Sequence, residues 1–191
     1  MSSVCLESGA VLREQFPVDA WFPTEGCEKV KNIAIGILVG LGAFMAMTAL
    51  FYVLEAHCSW FSVSQDAIKI FDIFKNVHPL LDVAWRGLWR GFVVLAGPVL
   101  EEVLFRGVLN DKIEKCMGEE QTLAKKATRI ALVAIIFGLC HLSPFQNTVS
   151  NLVILGATTA LGVAFGILKE TRKDLTAPIA AHIVFNLAAT I

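Results

Sequence analysis

Residues 33–54 read IAIGILVGLGAFMAMTALFYVL, and this stretch decides the fold class because it contains no charged side chain. At about 1.5 Å of helical rise per residue it extends about 33 Å, which is enough to cross about 30 Å of hydrocarbon. The sequence therefore predicts a transmembrane helix here. Lys29 and Lys31 precede this helix and mark one of its ends with positive charge.

Four more apolar segments follow the first one along the chain. They are residues 88–109, 130–145, 152–168 and 175–191. The chain is 55% hydrophobic and only 17% charged, whereas soluble domains are about one quarter charged. The pattern predicts an all-α, polytopic transmembrane helix bundle with about five spans. Residues 60–83 alternate apolar and charged side chains at helical spacing, which predicts an additional interfacial amphipathic helix.

The same composition limits domains and partners. Residues 1–28 have weak periodicity and predict a loose or interfacial N-terminal arm, and residues 29–191 predict a single transmembrane domain. The arm lacks the apolar region of a signal peptide, so we expect the first span to stay as an anchor. A net charge of -1 without a basic stripe excludes nucleic acid as a partner and leaves membrane lipid. Five cysteines without paired spacing argue against a disulfide framework.

Positive charge predicts the orientation of the bundle. Five Lys or Arg residues lie in the loop 110–129 and three lie in the loop 169–174. With five spans, both loops fall on the same side as Lys29 and Lys31. The positive-inside rule makes this side cytoplasmic. We expect an integral, multi-pass protein of a bacterial inner membrane, with an internal eukaryotic membrane as the alternative.

Ionisable side chains inside these spans predict a functional site. Such residues are costly in hydrocarbon and face a protein interior or a wet cavity. Glu101, His141 and His182 lie about 12, 17 and 10 Å along their spans from the cytoplasmic end, counted at the helical rise. Three separate helices therefore place polar groups at similar depth, in the cytoplasmic half of the bilayer.

Helical spacing separates the two adjacent glutamates. Glu102 and Arg106 are four residues apart, share a helix face and can neutralise each other as an ion pair. Glu101 lies about 140° from Arg106 around the helix and is freer to face a cavity. His182 and Asn186 share a face in the same way.

These groups suit hydrolysis of an amide bond. A carboxylate and an imidazole can orient and deprotonate a water, and a second histidine with a carboxamide can donate to an oxyanion. The sequence makes Glu101, His141, His182 and Asn186 the candidates for this chemistry. Phe137 shares a face with His141, and we interpret it as a packing wall beside the site.

Three motifs resemble those of the CPBP family, also called Abi or type II CAAX prenyl endopeptidases. The segments are GPVLEEVLFRGVL (97–109), IIFGLCHLS (135–143) and LTAPIAAHIVFNLAA (175–189), in the family's order, and the resemblance covers about residues 88–190. The resemblance implies a glutamate-dependent intramembrane endopeptidase acting on a membrane-tethered or lipidated peptide or protein. Glu101 and His141 would position the attacking water, and His182 and Asn186 would form the oxyanion hole. Glu102 and Arg106 would support the site.

Several alternatives remain open at the level of sequence. The expected mechanism needs no cofactor, but Glu101, His141 and His182 also match the ligand set of a catalytic zinc. A non-proteolytic scaffold or a bacteriocin-immunity protein is the alternative to an enzyme. The family's characterised proteases have more spans, so a homo-oligomer or a membrane partner is an alternative way of enclosing substrate.

Overall fold

The computed structural model describes residues 18–58, 79–118, 122–144 and 147–190, and all regular secondary structure in these ranges is helical. The α-helices are α1 (Val18–Trp21), α2 (Gly26–His57), α3 (Pro79–Gly91), α4 (Gly97–Glu102), α5 (Asn110–Cys116), α6 (Leu123–Leu139), α7 (Thr148–Arg172) and α8 (Thr176–Thr190). The all-α prediction is confirmed for this part of the chain.

Two π-helical segments make α3, α4 and α5 parts of one long helix. Phe92–Ala96 joins α3 to α4, and Val103–Leu109 joins α4 to α5. The residues at these junctions keep right-handed helical backbone angles, so residues 79–116 form one continuous rod. Most of the expected amphipathic helix at 60–83 lies outside the described residues.

Within the described ranges, two helices are long and apolar enough to cross a membrane: α2 and α7. They contain the predicted spans at 33–54 and 152–168. The third and fifth predicted spans correspond to the shorter helices α6 and α8, and the second lies within the 79–116 rod. Length and composition thus support two of the five predicted spans.

Helices α2 and α8 run in parallel and pack at backbone distance. A Cβ atom at Gly36 would lie 2.8 Å from the Cβ of Ala180, and one at Gly40 would lie 3.1 Å from the carbonyl carbon of Ala181. The two glycines are four residues apart, as in the small-xxx-small pattern that brings membrane helices together. This contact holds α8, and with it His182, against the longest apolar helix.

Helices α6 and α7 form an antiparallel pair that also depends on glycine. A Cβ at Gly162 would lie 2.9 Å from the Cα of Ala134, and one at Gly166 would lie 2.9 Å from Ile130. The glycines at these two positions let α6 and α7 approach closely. Gly156 has no neighbouring atom within 4 Å and is not used in this way.

The three positively charged segments lie at one end of the bundle. Arg129 at the start of α6 is buried and pairs with Glu114 on α5 and with Glu170 on α7, the latter at 2.7 Å. Arg172 donates to the side chain of Asn32 at 2.6 Å. These contacts join the loops 110–129 and 169–174 to the start of α2, as the charge pattern predicts.

At the described end of the N-terminal arm, which is predicted to be loose or interfacial, Trp21 packs against the bundle. Trp21 is 3% exposed, and its ring lies over Gly107. Its indole N–H donates to Asp111 at 2.7 Å, and its carbonyl accepts from Leu175 N–H at 2.9 Å. A tryptophan suits this position because its ring is buried while its N–H group binds a carboxylate. Residues 18–25 therefore form a strap across the charged end of the bundle.

Asp174 fastens this strap to the turn before α8. Its carboxylate accepts from the backbone and hydroxyl of Thr24 and from the backbone N–H of Thr176, the first residue of α8. Burial acts to raise the pKa of Asp174, but the hydrogen bonds from Thr176 and Thr24 outweigh it and hold that pKa below its ordinary value. The ionised carboxylate is thus stabilised in the folded state.

Gly40→Ala should destabilise the bundle by about 1–3 kcal/mol, because the added methyl group overlaps backbone atoms of α8 that cannot move independently. The matched control is Gly42→Ala on the same helix, where no atom lies within 4 Å of the new Cβ. We expect the control to keep or slightly raise the apparent Tm in detergent micelles. Equal Tm values for the two variants would contradict the close packing of α2 on α8.

Asp174→Asn should lower the apparent Tm at pH 7, with a loss of about 1.5–3 kcal/mol for hydrogen bonds to a charged group. A depressed pKa contributes stability that is complete above the unfolded value of about 3.9 and is lost as the pH falls through the folded pKa. The Tm difference between variant and wild type should therefore shrink on acidification towards pH 3. Asp19→Asn, at an exposed position of α1, is the control and should follow the wild type.

Candidate active site

A buried carboxylate lies at the centre of the site. Glu102 is 0% exposed, and its Oε1 accepts from Arg106 Nη1 at 2.8 Å. The same oxygen lies 2.9 Å from Nδ1 of His182, which reaches it from α8. The predicted ion pair within one helix is confirmed, and it also holds a histidine from another helix.

Arg106 is enclosed by aromatic rings and a carbonyl group. Its guanidinium carbon lies 4.4 Å from the ring centroid of Phe137 and 5.5 Å from that of Phe165. Its Nη2 donates to the carbonyl of Gly162 at 3.1 Å. Cation–π contact and hydrogen bonds compensate a cation that is 1% exposed. Phe137 is a packing wall, as interpreted, and in addition supports this charge.

Glu101 lies on the accessible side of the same helix. Its side chain is 38% exposed, in contrast to that of Glu102, so the predicted division between the two glutamates is confirmed. Its Oε2 lies 3.9 Å from Nε2 of His141 and 3.8 Å from Nε2 of His182. The structure thus brings together the three groups that the sequence places at similar depth.

His141 lies in the turn after α6 and not on the helix itself, which corrects the predicted span 130–145. The helix ends at Leu139, before Pro144. The backbone N–H of His141 donates to the carbonyl of Gly138 at 3.0 Å, three residues earlier, instead of to the carbonyl four residues earlier as in an α-helix. The carbonyl of Phe137, which would accept this N–H in a continuing helix, lies 2.8 Å from the imidazole Nδ1 of His141. The side chain replaces the backbone donor and ends the helix.

The partners of both imidazoles determine their tautomers. A carbonyl oxygen only accepts, so Nδ1 of His141 carries a hydrogen towards Phe137. A carboxylate paired with Arg106 also accepts, so Nδ1 of His182 carries a hydrogen towards Glu102. In the neutral ring the Nε2 atom then has a lone pair. Both Nε2 lone pairs are on the atoms nearest to Glu101.

Asn186 is fixed by a π-helical segment. Its Nδ2 donates to the carbonyl of Val93 at 3.0 Å. Val93 lies within Phe92–Ala96, where π-helical bonding changes the partners of backbone carbonyls. An amide nitrogen carries two hydrogens, and Val93 takes one of them. One hydrogen of the Asn186 amide is therefore bonded to the backbone of the 79–116 rod.

Sequence reasoning missed two contributions from α7. Gly162 offers its backbone carbonyl to Arg106, and Phe165 packs on His182 with ring centroids 5.1 Å apart. A backbone carbonyl has no residue-specific signature. Phe165 is 0% exposed and belongs to the core. The glycine in an apolar span was the only available sign of close approach.

The zinc alternative would need Glu101, His141 and His182 as ligands. Within the described ranges, no group of three or more His, Cys, Asp or Glu residues is arranged to hold a metal ion. Ligands of a tetrahedral zinc with bonds of about 2.0–2.1 Å lie about 3.3 Å apart. The two distances from Glu101 to the imidazoles, 3.8 and 3.9 Å, are longer than this.

Comparison with known proteins agrees with the motifs. Residues 83–188, more than half of the chain, match the family described as type II CAAX prenyl endopeptidase Rce1-like. No curated protein and no solved structure matches the chain significantly. The matched region includes the first two segments and residues 175–188 of the third, with His182 and Asn186, so the resemblance is confirmed. Proteins of this family are embedded in membranes, consistent with the apolar helices α2 and α7. The chain belongs to the type II CAAX prenyl endopeptidase Rce1-like family.

Proposed function

We propose that this protein is an intramembrane endopeptidase that hydrolyses a peptide bond of a membrane-tethered or lipidated protein. The observation that carries the proposal is the position of Glu101 Oε2, within 3.9 Å of the Nε2 atoms of two histidines from different elements. Family membership supports a protease. The identity of the catalytic residues is our inference from this geometry.

Glu101 and His141 are suited to orient one water. Polar atoms separated by more than about 3.5 Å are commonly bridged by water. The carboxylate oxygen and the lone pair of His141 Nε2, 3.9 Å apart, can each accept one hydrogen of that water. The water oxygen is then directed at a substrate carbonyl between them. Both side chains are partly exposed, at 38% and 33%, while the Oε2 atom of Glu101 is itself buried and has no hydrogen-bond partner among the described residues.

The proposed reaction moves one proton from water to the leaving group. As the water oxygen attacks the scissile carbonyl carbon, Glu101 takes the proton. The carbonyl electrons move to its oxygen and form a tetrahedral oxyanion. When the carbon–nitrogen bond breaks, Glu101 returns the proton to the amine nitrogen. The products are a carboxylic acid and an amine, and the enzyme is regenerated.

His182 and Asn186 would stabilise the oxyanion. The second N–H of Asn186 is available because Val93 takes only one. His182 can donate from Nε2 when its ring carries both protons. Glu102 at 2.9 Å and Glu101 at 3.8 Å would then stabilise the imidazolium from two sides. Preorganised donors of this kind contribute much of the rate in acyl-transfer enzymes.

We also propose a membrane orientation. The strap, the start of α2 and the paired charges around Arg129 would face the cytoplasm, because basic residues concentrate on that side. His182 lies six residues from the start of α8, about 9 Å into the bundle from this end. The site would then lie in the cytoplasmic half of the bilayer, and the 79–116 rod, α6 and α8 would complete the bundle around it.

Glu101→Gln should lower cleavage by at least about 100-fold, because the amide cannot accept the proton from water. Membrane peptides from cells producing wild type and variant would be compared by mass spectrometry, followed by kinetics on purified protein with a prenylated CAAX peptide as the probe. Glu55→Gln, at an exposed position near the end of α2, is the matched control and should retain activity. Both proteins should insert equally. Wild-type cleavage products with Glu101→Gln would refute the glutamate mechanism.

Metal removal should leave the activity intact. The proposed mechanism uses a carboxylate base and hydrogen-bond donors, so dialysis against EDTA or addition of 1,10-phenanthroline should change the cleavage rate less than about 2-fold, well below the effect of losing a general base. Metal analysis of the purified protein accompanies the assay. If chelation abolishes cleavage and added zinc restores it, the zinc site of Glu101, His141 and His182 replaces our proposal.

A further inference from the structure

His141 lies in a turn of residues 140–143, and every backbone N–H of this turn donates a hydrogen bond. The first three donate to carbonyls of the last turn of α6: Cys140 to Ile136 at 3.1 Å, His141 to Gly138 at 3.0 Å and Leu142 to Leu139 at 3.3 Å. Ser143 N–H donates instead to the side chain of Asn151 on α7, at 3.0 Å. The next residue, Pro144, has no N–H. Backbone outside a helix at membrane depth requires such complete pairing.

Asn151 also binds the backbone carbonyl of Ser143. Its Nδ2 donates to the carbonyl of Ser143 at 2.8 Å, while its Oδ1 accepts the N–H. The carboxamide of Asn151 supplies both an N–H donor and an acceptor oxygen from one planar group. An aspartate would lose the donor, and a leucine of similar size would lose both bonds. The requirement is therefore specific to the residue type.

This pairing fixes His141 to the helix that also holds the rest of the site. His141 lies beyond the end of α6, so helical geometry alone does not set its position. Asn151 connects its turn to α7. Gly162 and Phe165 of the same helix contact Arg106 and His182. Helix α7 is thus the common support for both sides of the site.

We infer that Asn151 is a positioning residue for His141: it holds the turn 140–143 at the distance from Glu101 that hydrolysis requires. The inference rests on the proposed function. Asn151 does not touch the reacting atoms. Its effect passes through Ser143 and the backbone to the imidazole, two residues away.

Kinetics of three variants test this inference. Asn151→Leu and Asn151→Asp should lower kcat by about 10- to 100-fold with KM changed less than about 2-fold, because misplacement of about 1 Å at a catalytic group costs this much. Thr158→Val is the matched control, since it removes a side-chain hydrogen bond of α7 to Ile154, at 2.7 Å, away from the turn. The control should keep kcat. Wild-type kcat in Asn151→Leu overturns the inference, and wild-type kcat in Asn151→Asp overturns the need for both bonds.

Hydrogen–deuterium exchange gives a readout that does not depend on activity. In Asn151→Leu, amides 140–142 should exchange faster although their own acceptors are unchanged, and the exchange of α2 and α8 should match the wild type. Unchanged exchange at 140–142 overturns the inference. If Glu101→Gln remains fully active, the proposed function fails, and the exchange result still decides whether Asn151 holds the turn.

Discussion

One buried carboxylate oxygen holds the site together. Glu102 Oε1 binds Arg106 on its own helix and His182 on α8, and Arg106 in turn binds Gly162 on α7. Removing one partner of a buried pair leaves an uncompensated charge and costs about 3–5 kcal/mol. The three helices must therefore meet at this point for the charges to be tolerated. The adjacent Glu101 is not part of this pair, because Glu102 already binds the arginine.

The helix that carries the two glutamates is interrupted by a π-helical segment on each side of them. Each segment contacts a different part of the bundle. The π segment Phe92–Ala96 includes the carbonyl that fixes Asn186. The segment Val103–Leu109 contains Arg106 and the buried Gly107, on which Trp21 packs. Such π-helical segments are often found at functional sites. Here they lie on both sides of Gly97–Glu102, so the helix that carries Glu101 is anchored before and after it to separate parts of the bundle.

The sequence predicted the features that depend on composition and on side-chain spacing. The apolar stretch in α2, the pair of Glu102 with Arg106, and the proximity of Glu101, His141 and His182 all follow from residue type and helical geometry. The features that it did not predict are made by the backbone. No residue pattern marks a π-helical segment, a carbonyl that accepts from Arg106, or an imidazole that takes the place of the next N–H and ends α6. The packed strap was missed for a related reason, since a single Trp between proline residues has no periodicity. The number of spans, the membrane side and the roles in catalysis stay predictions.

The early end of α6 sets the orientation of the His141 imidazole. A helix that continued past Leu139 would bond the carbonyl of Phe137 to a backbone N–H and leave the imidazole of His141 without a fixed tautomer. Because the ring takes that carbonyl itself, its Nε2 has a lone pair in the neutral form and lies 3.9 Å from Glu101. Ending the helix exposes polar backbone, which membrane proteins tolerate only where other groups satisfy it. The turn meets this condition through the carbonyls of α6, the side chain of Asn151 and a proline with no N–H. The backbone N–H groups of the turn are thus bonded next to the imidazole that they help to position.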